Sequence, residues 1–141
     1  MKKLLLLSAL LIFACSYGQD EETVPVYPGC KIKASNSEKR KCMSSAISEF
    51  VVRKFDTDTA KDLGLSGRQR IAVIFKIDKK GYVKDIRIRA PHPRLEKEAF
   101  RVINMLPRMI PGTVNGQPVI VPYSLPITFQ VAPSTTAKPL R

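Results

Sequence analysis

The 141-residue sequence has no tryptophan and a single histidine, His92, which lies between two prolines. A lone histidine in such a loop is more often a turn or cap residue than a catalyst. No serine or carboxylate has a paired base that would complete a triad or an acid pair, and the glycines lack a phosphate-cradling spacing. We therefore predict a protein that is not an enzyme and binds no cofactor or metal. An unrecognised hydrolase would need a catalytic group that these residues do not reveal.

The sequence also lacks an apolar run long enough to span a bilayer. Its longest run, from Leu4 to Cys15, falls well short of the ~20 residues that a membrane-spanning helix needs. Two lysines precede this run and small residues follow it, which is typical of a secretory signal peptide. We expect residues 1–18 to be removed on export. The alternatives are a lipoprotein signal, in which Cys15 is lipidated, and a retained anchor.

Cysteine is scarce, and outside this leader only Cys30 and Cys42 remain. Neither belongs to a CxxC motif or has a histidine nearby, so metal and redox roles have little support. An even pair in an exported protein favours a disulfide, with two buried free thiols as the alternative. The bridge would close a loop of about 13 residues and stabilise the protein by about 3 kcal/mol.

Acidic residues are few relative to basic ones. Without the two leader lysines, 22 basic and 12 acidic residues remain, a net charge of +10. An exported protein rarely meets nucleic acid, so we expect no nucleic-acid partner. Anionic lipid, the cell wall or acidic peptides are more natural neighbours. The alternative is a solvated surface whose charge serves solubility.

Two amphipathic helices are predicted. The first begins at a capping-box sequence, Ser35 to Glu38. Its apolar stripe consists of Met43, Ala46, Ile47, Phe50 and Val51. The second, within residues 91–107, has Pro93 in its first turn. Its stripe consists of Leu95, Ala99, Val102, Ile103 and Leu106. Residues 56–67, between the first helix and the strands, are polar with two glycines and predict a loop.

Two alternating segments, residues 68–78 and 82–90, predict strands joined by a tight turn. Gly81 can take the positive φ that this turn needs. The inward residues are Ile71, Val73, Phe75 and Ile77 on the first strand and Ile86 and Ile88 on the second. The outward residues of the second strand are Asp85, Arg87 and Arg89.

The last alternating segment, Pro118 to Val131, follows a loop that contains Asn115 and Gly116. Its odd positions are apolar without interruption, while its three prolines are all even. Backbone N–H groups of one parity point to the same lateral side of a strand, so the missing donors share one margin. We predict an edge strand whose free margin is partly blunted against unwanted pairing.

The order helix, strand, strand, helix, strand predicts an α+β domain of two layers. Two helices would pack on one face of a small three-stranded sheet, in which the last strand can run in either direction. We expect an extended lead-in at residues 19–34, the domain at 35–131 and a disordered tail at 132–141.

Three segments resemble the C-terminal domain of TonB energy transducers: Tyr27-Pro28, "GYVKDIRIRAPHPRLEKEAFRVINMLP" and "PGTVNGQPVIVPYSLPITF". The resemblance covers Val24 to Val131. It implies a periplasmic domain that binds the TonB box peptide of outer-membrane transporters by strand addition. A transducer also has an anchor and a long Pro-rich span. Because only about fifteen residues separate the leader from this domain, we expect a module that transmits no force by itself. It would bind transporter peptides or the edge strand of another envelope protein, as an accessory or modulator of uptake.

The resemblance places the partner-binding surface on the last strand and the segment expected beside it. Its residues are Tyr27, Pro28, Tyr123, Ser124, Leu125, Thr128, Phe129 and Gln130. Since Pro122 and Pro126 lack donors, a guest strand should pair near Thr128 and Gln130. The competing interpretation is a structural or interaction protein of the envelope that dimerises edge to edge or contacts anionic envelope surfaces through its basic helices.

Overall fold

The computed structural model describes Gly18 and residues 20–133. Its elements are β1 (Glu22–Thr23), α1 (Asn36–Lys54), α2 (Asp58–Asp62), β2 (Gly67–Ile77), β3 (Val83–Arg89), α3 (Pro93–Asn104), β4 (Thr113–Val114), β5 (Gln117–Pro118) and β6 (Val121–Val131). The strands form two three-stranded antiparallel sheets, ordered β3-β2-β6 and β1-β4-β5. The architecture confirms the predicted α+β class. The expected signal peptide, including Cys15, and the tail from Ser134 lie outside the described residues.

The larger sheet and the two long helices enclose the core. β2 is the central strand, and α1 and α3 both pack on the same side of the sheet, against its alternating apolar residues. The buried side chains include Met43, Ile47, Val51, Ile71, Val73, Phe75, Ile77, Leu95, Ala99, Val102, Ile103, Leu125, Ile127 and Val131. In the part of the chain from Asp20 to Pro133, no helix is long and apolar enough to cross a bilayer.

The first residues of both long helices are capped by side chains that the sequence indicates for this role. The Ser35 hydroxyl accepts from the Glu38 backbone N–H, and the Glu38 carboxylate accepts from the Ser35 N–H at 2.9 Å, which completes the predicted capping box. The bonds that the Ser35 N–H and hydroxyl donate to the Glu38 carboxylate lower the pKa of Glu38. At the start of α3 the His92 ring nitrogen Nδ1 accepts from the Arg94 N–H at 3.1 Å. His92 is therefore a helix cap, one of the two roles expected of it.

The turn between β2 and β3 requires glycine for two reasons. Gly81 has a φ of 89°, which most side chains avoid. Its Cα also lies so close to the chain after α3 that an added Cβ would be 1.7 Å from the Met109 carbonyl oxygen. The Met109 N–H donates to the Gly81 carbonyl at 2.9 Å. The turn thus ties the hairpin to the end of the helical layer.

A bulge interrupts β3. Lys76 lies opposite Lys84 and Ile74 opposite Arg87, so both Asp85 and Ile86 face the single residue Phe75. Asp85 has a φ of 51°, and its side chain is not part of the core. Its carboxylate accepts a hydrogen bond from Lys76 Nζ at 2.8 Å. The bulge shifts the alternation, so that Lys84 shares the outward face with Arg87 and Arg89. The sequence pattern had assigned only Asp85, Arg87 and Arg89 to that face.

Two predicted loops contain short elements. Residues 56–67 include the five-residue helix α2, because the Asp56 carboxylate accepts from the Asp58 N–H at its start and Ala60 is buried. Residues 113–118 form the β4–β5 hairpin, whose turn residues Asn115 and Gly116 both have positive φ.

The lead-in contributes a strand as well. β1 pairs with β4, and the Asn115 side chain accepts from the Glu21 N–H at 3.0 Å. The last predicted strand is divided, with Pro118 in β5 and β6 beginning at Val121.

Candidate functional site at the free margin of the last strand

β6 is an edge strand, as its prolines predicted. It pairs with β2 alone, in an unbroken antiparallel register from Gly67 opposite Val131 to Ile77 opposite Val121. Alternate residues of an antiparallel pair exchange hydrogen bonds, and the residues between them point their N–H and C=O groups away from the partner. Pro122 and Pro126 cannot donate, so the odd-numbered residues supply the donors to β2.

The free margin of β6 therefore consists of even-numbered residues. Three of them, Ser124, Thr128 and Gln130, keep an N–H that faces outward, and the two prolines keep an outward carbonyl. All five side chains are exposed on the sheet face that carries no helix. Thr128 and Gln130 lie next to each other along the margin, so the C-terminal half of β6 is the longest stretch with its donors intact.

The inward side chains of β6 fix the strand against the helical layer. Leu125 is buried, and the Tyr123 hydroxyl lies 2.6 Å from the Ser44 hydroxyl of α1. The Phe129 ring packs on Phe55, with ring centroids 5.1 Å apart. These three predicted site residues hold the margin in place, and their side chains leave little surface for a partner.

A groove runs between α1 and the margin. Its volume is about 230 Å³, and it is lined by Ser48, Val51, Val52, Leu125, Pro126, Ile127 and Thr128. Because the groove contacts both inward and outward residues of β6, it reaches the free margin. Val52, which is 78% exposed, forms its outer wall. A side chain of an added strand that points toward the helical layer would enter this groove.

Tyr27 and Pro28 lie at a different groove. That groove has a volume of about 400 Å³ and is lined by the lead-in and by the chain after α3, including Arg108, Met109 and Ile110. None of its lining residues belongs to β6. Burial raises the pKa of the Tyr27 hydroxyl, although the charge of Arg53 acts in the opposite direction. Tyr27 and Pro28 therefore do not line the groove beside Thr128.

The lead-in is fixed by a disulfide. Cys30 and Cys42 are joined, with their Cα atoms 6.0 Å apart, which confirms the predicted disulfide. The bridge ties the lead-in to the first half of α1. The N–H of Val26 also donates to the Ile110 carbonyl at 3.0 Å, and the Ile110 N–H returns the bond.

Sequence reasoning missed the residues by which α1 contributes to the site. Ser44 anchors Tyr123, while Ser48 and Val52 line the groove. Val52 carried a signal, because it is an apolar residue beside the predicted stripe and not within it. Among residues 20–133 no group of three or more His, Cys, Asp or Glu side chains could hold a metal ion.

The fold and the edge together define a class of protein: a small α+β domain whose sheet ends in an uncharged strand with one free margin. A family model described as Gram-negative bacterial TonB protein C-terminal matches residues 58–131, just over half of the chain. The chain belongs to this family, whose domains are non-catalytic interaction modules of the cell envelope. A search among curated proteins finds no match. The matched region begins at α2, after α1.

Proposed function

We propose that this protein is a periplasmic peptide-binding module, formed by residues 35–131, that docks an extended peptide along the free margin of β6. The proposed partner is the TonB box segment of an outer-membrane transporter, and the protein would act as part of energised uptake or as an accessory to it. The observation that carries the proposal is the pair of neighbouring outward donors at Thr128 and Gln130, on a strand paired on one side only.

The free margin and the groove beside it determine which peptide side chains can be bound. Strand addition gives affinity through backbone hydrogen bonds and specificity through pockets for alternate side chains. Here a guest residue near Thr128 would place its side chain in the groove walled by Val51 and Val52, which favours an aliphatic residue. The prolines at 122 and 126 restrict guest pairing toward the C-terminal half of β6.

A titration with synthetic peptides tests the proposal. Peptides from the N-terminal segments of outer-membrane transporters are added to isotope-labelled protein, and backbone amide shifts are recorded. We expect the largest shifts at Thr128 and Gln130, with smaller ones at Ser48 and Val52. The matched control peptide has prolines at consecutive positions, so donors are missing from both of its margins. Shifts confined to the Tyr27–Pro28 groove, or none at Thr128 and Gln130, would refute the proposal.

A second candidate is edge-to-edge dimerisation through β6. It is supported by the absence of any charged residue in the strand, since charges commonly prevent two edges from pairing. Sedimentation of the protein without peptide separates the two functions. A dimer that dissociates when peptide is added favours the peptide site, while a dimer that peptide cannot displace favours self-association.

A further inference from the structure

The sheet face opposite the helices is open and strongly basic. Outward side chains of β2 and β3 are exposed along both strands, and six of them carry a positive charge. They are Arg68, Arg70, Lys76, Lys84, Arg87 and Arg89. Asp85 is the only carboxylate among the outward residues of β2, β3 and β6. Of the 12 acidic residues in the chain, the others lie in the lead-in, the helices and the connecting segments.

These charges form an array in two dimensions. Arg89 lies opposite Ala72, Arg87 opposite Ile74, and Lys84 opposite Lys76, while Arg68 and Arg70 extend the row along β2. Neighbouring strands are about 4.8 Å apart, and residues on one face of a strand repeat about every 6.7 Å. The cations are thus spread over the open face of the sheet along two neighbouring strands.

Most of this charge has no internal partner. Within the described chain, Lys76 is the only one of the six with a carboxylate oxygen within 4.0 Å. The helices carry both signs of charge: α1 has five basic and two acidic residues, α3 has three and two, and Arg40 and Arg101 have carboxylate partners. The open face therefore has the larger positive excess, with six basic residues and one acidic residue on β2 and β3, while α1, α2 and α3 together carry nine basic and six acidic residues.

We propose that this open face binds the anionic phospholipid surface of a membrane. A flat anionic surface can meet all six cations at once, whereas an extended acidic peptide would follow one strand and reach a subset. At the centre of the array Ile74 is 52% exposed, and it borders a shallow depression of about 350 Å³ formed with Ala72, Arg87, Ile88 and Arg89. Aliphatic side-chain carbon there would lie at headgroup level.

This lipid-binding face is separate from the peptide site. Strand addition uses backbone groups at the margin of β6, while the cationic side chains belong to β2 and β3. The inference does not depend on the proposed function, and either can fail without the other. If both hold, the protein would present its free margin alongside a membrane surface.

Vesicle co-sedimentation tests the proposal. Protein purified from cells that express the full sequence is mixed with phosphatidylcholine vesicles with or without phosphatidylglycerol, and only the phosphatidylglycerol-dependent part of the binding is compared. The triple variant Arg70→Gln, Arg87→Gln, Arg89→Gln removes three charges from the open face. The matched control, Lys41→Gln, Arg94→Gln, Lys97→Gln, removes three from the helical layer.

Each Lys or Arg near an anionic membrane contributes about fivefold in affinity, so the open-face variant should bind about 100-fold more weakly. The control should stay close to the parent protein. Thermal unfolding verifies that both variants are folded, and Arg87→Gln alone, with a loss of about fivefold, provides a milder version of the same test. Raising the salt to about 1 M should abolish the binding, since the screening length falls to about 3 Å.

Three outcomes would overturn the proposal. Equal losses in the two triple variants would show that net charge alone attracts the protein. The absence of phosphatidylglycerol-dependent binding by the parent protein would exclude a lipid surface. Binding to soluble polyglutamate without binding to vesicles would identify an acidic peptide as the partner of this face.

Discussion

The two border strands of the larger sheet prevent unwanted pairing by different means. β3 is seven residues long, is interrupted by the bulge at Asp85, and places Lys84, Arg87 and Arg89 outward. β6 is eleven residues long, has an unbroken register with β2 and carries no charge. Bulges and charges are general devices against edge pairing, and so are prolines.

The difference lies in how much of each edge these devices protect. On β3 the bulge and the charges cover the strand from end to end. On β6 the prolines block two positions, 122 and 126, and leave the C-terminal half with outward donors. β6 therefore has free donors that the proposed function would use, while β3 is protected along its whole length.

The largest effect is expected when proline is placed at an odd-numbered position of β6 and compared with proline at an even-numbered one. Ile127→Pro should lower the free energy of unfolding by about 4 kcal/mol or more, because it removes a buried isoleucine side chain and a donor to β2. Thr128→Pro should change stability by less than about 1 kcal/mol and abolish peptide binding, since its N–H faces outward. Urea denaturation of both variants provides the measurement. Similar losses of stability would mean that the even-numbered residues also donate to β2.

Removal of the disulfide tests whether the lead-in contributes to peptide binding at β6. The double variant Cys30→Ser, Cys42→Ser should be about 3 kcal/mol less stable. Peptide affinity, measured at a temperature where the variant is folded, should not change, because the groove at Tyr27 contains no residue of β6. A fall in affinity of about tenfold or more would assign the lead-in to the binding site.

The bulge on β3 can be tested through its backbone conformation. Asp85 has positive φ, which a β-branched residue adopts poorly and glycine readily. Asp85→Val should lower the melting temperature by about 5 °C, while Asp85→Gly should keep it close to that of the parent. Equal melting temperatures for the two variants would show that β3 can lose its bulge without strain, and the comparison between the borders would weaken.

Restoring the missing donors should remove the difference between the two halves of β6. In the double variant Pro122→Ser, Pro126→Thr, two more outward N–H groups become available. Each hydrogen bond contributes about 1 kcal/mol, so a long peptide should bind about tenfold more tightly or more. Calorimetric titration measures the gain, and sedimentation reveals any new dimer. An unchanged affinity would place the guest outside the N-terminal half of β6.

The smallest effect concerns pH and the Lys76–Asp85 pair. The hydrogen bond from Lys76 holds the pKa of the Asp85 carboxyl below its ordinary range. The stabilisation it provides is present above the ordinary pKa of about 4 and is lost as the pH falls through the lower folded value. Relative to the parent protein, Asp85→Asn should lose slightly less stability below about pH 4. Identical acid profiles in thermal unfolding would contradict this account of the pair.

Much of the fold could be predicted from local patterns. The capping box at Ser35, the apolar stripes of both helices and the hairpin at Gly81 all depend on neighbouring residues. The edge position of β6 followed from the even numbering of its prolines. The remaining elements depend on distant partners. α2 is stabilised by the burial of Ala60, and the β4–β5 hairpin lacks the flanking alternation that normally accompanies an Asn-Gly turn.

The site could also be predicted only where it depends on local sequence. Parity identifies the outward donors at Thr128 and Gln130 from sequence alone. The groove wall at Ser48 and Val52 required knowledge of where α1 crosses β6. The basic face required the bulge at Asp85, since only the register of β3 against β2 places Lys84 beside Lys76.

Amide hydrogen exchange at single-residue resolution tests the central claim most directly. In the free protein, the N–H groups of Ile127 and Phe129 should exchange slowly, while those of Thr128 and Gln130 should exchange rapidly. A transporter peptide should slow exchange at Thr128 and Gln130 and leave the odd-numbered residues unchanged. Slow exchange at Thr128 and Gln130 in the free protein, or no change there on addition of a bound peptide, would contradict a free margin that receives a guest strand.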